Sequence, residues 1–120
     1  METRNFAMQQ LKVLRALREI DPEMGIQTYS IFLQIALEEG IGVMELTKRL
    51  DVSGASASRN VLLLSKERTS KRKGYNLVQT DYDPQERRRK MCSLTAPGRK
   101  LLTKLSQLIL PKPSLRSASG

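Results

Sequence analysis

Histidine and tryptophan are absent from this 120-residue chain, cysteine occurs once, as Cys92, and aromatic residues make up only 4%. A lone thiol excludes an intramolecular disulfide framework, and without histidine it cannot complete an ordinary zinc site. No metal and no cofactor is expected. The missing imidazole also removes the usual base of a serine-type triad, and no other catalytic constellation stands out, so the chain does not read as an enzyme. Long apolar runs are missing as well: no stretch approaches the roughly 20 residues of a membrane span, and the polar start Met1 to Asn5 lacks a signal-peptide core. These absences point to a cytoplasmic protein with no membrane contact. Scarce aromatics imply an aliphatic core and argue against stacking on single-stranded bases.

What the chain does have is basic charge, unevenly placed. The net charge is +9, and residues 59–100 hold 12 Lys and Arg against 4 Asp and Glu, whereas residues 1–58 hold 6 against 8. General solubility explains a positive total but not this asymmetry. One basic segment facing a polyanion explains both.

The length suits one domain with terminal extensions. Residues 1–24 carry a helical stripe of Phe6, Leu11, Val13, Leu14, Leu17 and Ile20, stopped by Asp21-Pro22. That stripe is wide for one small domain, so part of it is read as a dimerisation face with Phe6 as an anchor. A second helix is expected from Ile26 to Glu39, ended by Gly40, with Tyr29, Phe32, Leu33, Ala36 and Leu37 as its main face and Ile31 and Ile35 on the far side. Ile41-Gly42-Val43 suits a linker or a minimal strand, and Glu45 to Leu50 a short helix.

Residues 53–65 then read as the helix around which the chain is organised. Ser53 is a good N-cap, and Ala57, Val61 and Leu64 recur at helical spacing as an inward stripe. Ser56, Ser58, Arg59 and Asn60 are expected on the polar side, where short side chains let a helix approach base edges that Arg and Asn can bond. A short helix, a tight turn and a capped helix form a helix-turn-helix pattern. The stretch that follows contains Lys66, Arg68, Lys71, Arg72 and Lys73, suited to phosphate contact. Leu77–Tyr82 and Lys90–Thr95 have strand composition, and the turn between them, DPQERRR, makes a basic hairpin tip over 83–90. Thr95 caps a last helix over 96–111 with a stripe of Leu101, Leu102, Leu105, Leu108 and Ile109, and the tail 112–120 is expected to be mobile.

The predicted class is mainly α with a small β-hairpin: a winged helix-turn-helix domain over 25–95, flanked by N- and C-terminal helices. The residues also resemble a named family. Asp83-Pro84, Glu86-Arg87-Arg88 and Leu94-Thr95-Ala96-Pro97-Gly98, after VMELTKRLDVSGASASRNVLLL, are similar to the MarR (multiple antibiotic resistance regulator) family. The resemblance covers about residues 25–105. It implies that residues 53–60 enter the major groove of double-stranded DNA while the wing brings an arginine to the minor groove. Arg88 matches the family arginine, Glu86 stands where the family has an aspartate and would hold it by an ion pair, and Arg87 and Arg89 are its alternatives.

The resemblance also implies a homodimer on an inverted repeat, with Phe6, Leu11, Leu14, Leu101, Leu105 and Leu108 at the dimer contact. The C-terminal region is shorter than the family's, which argues against its small-molecule effector pocket. Altogether the chain is expected to be a sequence-specific transcriptional regulator, a repressor. The alternatives are a winged-helix protein-interaction module and a sequence-independent DNA-binding accessory protein.

Overall fold

The structure, a computed structural model, describes residues 2–66, 69 and 72–109. Eight elements follow in chain order: α1 (Glu2–Ile20), α2 (Ile26–Leu37), β1 (Ile41–Gly42), α3 (Val43–Leu50), α4 (Gly54–Leu64), β2 (Val78–Tyr82), β3 (Lys90–Leu94) and α5 (Ala96–Ile109). Pro22 stops α1, whose last carbonyls are met by Asp21 N–H bonding to Leu17 at 3.1 Å. The Thr95 hydroxyl accepts from Gly98 N–H at 3.0 Å and so caps α5. The segment 41–43 resolves into a strand of two residues. It pairs antiparallel with β3, which also pairs with β2, giving the sheet order β1-β3-β2.

Two apolar clusters hold the elements together. The larger joins Ile31, Phe32 and Ile35 of α2 to Leu46 of α3, Ala57, Val61 and Leu64 of α4, and Val78, Cys92 and Leu94 of the sheet. Each fully buried Ile, Leu or Phe contributes about 2 kcal/mol of transfer free energy, so this cluster fixes the helix-turn-helix and the wing as one unit. The faces of α2 depart in part from the sequence expectation, although Tyr29, Leu33 and Ala36 do pack against the core. Ile31 and Ile35 are its innermost residues with Phe32, whereas Leu37 is 79% exposed. Periodicity located a helix apolar on two sides but did not say which side α3, α4 and the sheet would cover.

The smaller cluster packs Val13, Ala16 and Leu17 of α1 against Leu105 of α5, with Leu101 and Leu108 partly buried beside it. Lys104 reaches Glu19 at 3.7 Å across the same contact. Leu105 is therefore consumed inside its own chain and is not a free dimerisation anchor. Leu101 and Leu108 lie half-buried on the same intrachain face. Phe6, Leu11 and Leu14 are exposed.

Cys92 sits in the middle strand, opposite Ile41 on one side and Thr80 on the other. Burial pushes its thiol up to about 11. It is a packed core thiol, not the exposed, acidified one that a redox sensor needs.

Backbone contact is tight where α5 leaves the sheet. A Cβ on Gly98 would lie 2.0 Å from the Leu77 carbonyl oxygen, a backbone atom that cannot swing aside. Gly98→Ala is therefore expected to lower stability by about 3 kcal/mol. Gly54→Ala, whose Cβ would meet only Met44 at 3.7 Å, should raise it by about 0.5 kcal/mol through helix propensity. Urea unfolding midpoints distinguish the two.

Candidate nucleic-acid interface

The helix α4 begins at Gly54 because the Ser53 hydroxyl accepts from Ser56 N–H at 3.0 Å, leaving Ser53 itself extended. Its inner stripe of Ala57, Val61 and Leu64 is buried as the spacing predicts. The polar side divides in two. Ser56 is only 7% exposed and Asn60 is half-buried, and both face the first turn of α2. There the Thr28 hydroxyl donates to Asn60 Oδ1, Asn60 Nδ2 donates to the Ser56 carbonyl at 2.9 Å and to Gln27 Oε1 at 3.2 Å, and the Ser56 hydroxyl donates to Gln27. Among the described residues no buried side-chain polar atom lacks a partner.

This corrects the expected reading edge. Ser56 and Asn60 are occupied by α2, because one-residue offsets on a helix turn a side chain about 100° and carry it from groove side to interior side. Ser58 and Arg59 remain exposed, together with Ala55 and Leu62. Gln27 and Thr28 were missed by the sequence reading. Their signal was two adjacent polar residues in the first turn of an otherwise apolar helix.

The wing is held by a different residue from the one expected. Arg89 donates through Nε to Glu45 Oε1 at 2.9 Å, through Nη1 to Asp83 Oδ2 at 3.1 Å and through Nη2 to the Gly40 carbonyl at 3.2 Å; Nη2 also bonds Glu45. The two backbones close around this side chain, with Asp83 N–H bonding Arg89 O at 2.8 Å and Arg89 N–H bonding Glu86 O at 2.9 Å. Gly42 makes the approach possible, since a Cβ there would lie 3.1 Å from Arg89 Nε and 2.9 Å from Glu45 Oε1.

Glu86 is thus not the wing's ion-pair residue. Among the described residues its carboxylate pairs with no cation, while Asp83 and Glu45 share Arg89. A carboxylate six residues before Arg89 sits across the turn from it, whereas Glu86 sits on the turn itself. Arg87 and Arg88 occupy the exposed tip, free of any acid among the described residues. Lys90 stacks over the Tyr82 ring at 5.8 Å to its centroid. Between this wing, α3 and α4 lies an open crevice of about 630 Å³, lined among others by Met44, Ser58, Leu62, Arg88 and Lys90.

No family model matches the sequence, and no curated protein matches it. Solved structures do. S. aureus MepR, in a DNA complex, superposes with a TM-score of 0.68 over 90% of this chain and 82% of that one, at 18% identity. A MarR variant from E. coli, complexed with operator DNA, gives 0.62 over 97% and 77% at 21% identity. A MarR transcriptional regulator from Methanosarcina mazei Go1 gives 0.65 over 88% and 69% at 17% identity. The chain has the MarR winged-helix fold.

On this MarR scaffold the link after α4 is itself built. Tyr75 N–H bonds Leu63 O at 2.9 Å, Gly74 N–H bonds Lys66 O at 2.9 Å, and Thr69 and Arg72 bond each other's backbone at 3.0 and 3.3 Å. Of the basic stretch, Lys66, Arg72 and Lys73 are exposed near the C-terminal end of α4. Arg68 and Lys71, and the tail 112–120, lie outside the described residues. Tyr75 ties the end of this link to the α1–α2 corner by donating to Asp21. No described helix is long and apolar enough to cross a membrane.

The clamp carries a pH dependence. The Arg89 guanidinium holds the Glu45 carboxyl below its ordinary 4.5, and the Gln85 N–H together with Arg89 holds Asp83 below its ordinary 3.8. Depressed carboxyl values mean the pairing is complete above the ordinary values and is lost as pH falls through the lower, folded ones. The Arg89 Nε–H proton should keep a shifted, hydrogen-bonded resonance position at about pH 6 and move toward that of a free guanidinium only as pH falls below both ordinary carboxyl values, and Glu45→Gln should move it already at about pH 6. A resonance indifferent to both changes contradicts the clamp.

Proposed function

We propose that this chain is a sequence-specific double-stranded DNA-binding transcriptional regulator, a repressor that acts by occupying promoter DNA. The observation that carries the reading is the division of α4. Its inner side is locked by apolar burial and hydrogen bonds, while Ser58 and Arg59 stand exposed beside a wing tip that presents Arg87 and Arg88. Such an arrangement suits a helix laid in the major groove with an arginine-bearing wing at the minor groove. Lys66, Arg72 and Lys73, after the end of α4, supply phosphate contact. That two proteins of the same fold are held with DNA, S. aureus MepR and the E. coli MarR variant, supports the reading. The site of action is the cytoplasmic nucleoid.

A homodimer follows from the same reading. Phe6, Leu11 and Leu14 of α1, joined by Met8, are exposed apolar residues along one helix that its own α5 does not cover. Pairing through them would set two α4 helices about one DNA turn apart on an inverted repeat. Leu11→Glu combined with Leu14→Glu should shift sedimentation from dimer to monomer and reduce a palindromic preference to a half-site preference.

Selection from a random duplex library tests the central claim. A palindromic motif is expected. Enrichment of no motif points to sequence-independent coating, and retention of no duplex at modest salt points to a protein partner. Arg59→Ala should cost about 1–3 kcal/mol at one position of the motif and relax preference there. Lys66→Ala, Arg72→Ala and Lys73→Ala should each weaken all duplexes alike and lower the salt slope by about one.

A further inference from the structure

The outward face of α4 has an apolar centre. Ala55 and Leu62 are seven residues apart, so they share one line along the helix, about 10.5 Å from end to end at 1.5 Å per residue. Ser58 lies to one side of this line and Arg59 to the other. Leu62 is 46% exposed although Ala57, Val61 and Leu64 already satisfy the inward stripe, so packing gives no reason for a leucine here. Met44 flanks the line on its Ser58 side, its thioether within 4 Å of where a Gly54 side chain would begin. Met44 is exposed and, with Leu62 and Ser58, lines the crevice whose rim carries Arg88 and Lys90.

An apolar strip framed by Arg59, Arg88 and Lys90 fits a surface that is anionic at its edges and apolar in its floor. The major groove of duplex DNA offers one such apolar element, the C5-methyl of thymine, between its phosphate walls. We propose that Leu62 and Ala55 read thymine methyl groups, at positions about three base steps apart, with Arg59 bonding a base edge between them. The inference rests on the proposed DNA-binding function and names the chemistry by which it discriminates. It assigns Leu62 the role of a specificity residue.

Deoxyuridine differs from thymidine only by that methyl and leaves the pairing edge unchanged, so it tests the assignment directly. Each thymidine of the selected duplex is replaced in turn. The wild-type chain should lose about four-fold in affinity at the position under Leu62, the equivalent of one buried methyl group. Leu62→Ala should bind the thymidine and deoxyuridine duplexes equally at that position while keeping the penalty under Ala55. Leu62→Met, which keeps an apolar end, should retain the preference. Because Leu62 is half out of the core, Leu62→Ala is expected to unfold at the wild-type temperature, and its binding to an unrelated duplex serves as the control for folding. A deoxyuridine series without any penalty overturns the inference while leaving sequence-specific binding intact. So does a penalty that Leu62→Ala fails to remove. A library selection that yields no motif overturns the regulator reading and this inference together.

Discussion

The rotational setting of α4 about its own axis is the constraint on which the rest depends. Apolar burial of Ala57, Val61 and Leu64 draws the helix onto the core, but a stripe of that kind tolerates a modest roll. The hydrogen bonds linking Ser56 and Asn60 to Gln27 and Thr28 do not, because they fail steeply with angle. Thr28 is 5% exposed, so a roll that parted it from Asn60 would strand a buried hydroxyl at a cost of about 1–3 kcal/mol. The polar contact therefore does for orientation what the apolar contact does for stability. Every outward side chain of α4 takes its direction from that division.

The wing is registered against the same helix by other means. Its sheet shares the core through Val78, Cys92 and Leu94, while Arg89 ties its base to Glu45 of α3 and to the Gly40 carbonyl. Exposed ion pairs contribute little on their own. Here one guanidinium satisfies two carboxylates and a carbonyl from three segments, so its value lies in geometry. Arg87 and Arg88 are left at the tip of a loop whose two ends are fixed.

Much of this was legible in the sequence. The order of the elements, the Ser53 and Thr95 caps and the stop at Pro22 all depend on local chemistry, which a sequence carries whole. The inward stripe of α4 was legible because three residues at strict spacing admit one helix face. The errors fall where a partner decides. Ser56 and Asn60 look like groove residues until Gln27 and Thr28 are placed against them, and Glu86 looks like the wing acid until the turn places Asp83 across from Arg89. Leu105 belongs to the same class, since an apolar stripe does not reveal which apolar surface it meets.

The separation of duties on α4 has a consequence for how such a chain changes over generations. Ala55, Ser58, Arg59 and Leu62 are exposed, and exchange of exposed residues usually alters folding stability by no more than about 0.5 kcal/mol. Gln27, Thr28, Ser56 and Asn60 are bound into one network, where a single exchange breaks several bonds at once. Variation in what the helix faces can therefore accumulate one residue at a time, while the frame that aims it resists drift. New preferences would arise without passing through unstable ancestors, and two descendants of one such chain could diverge in target while remaining superimposable in backbone.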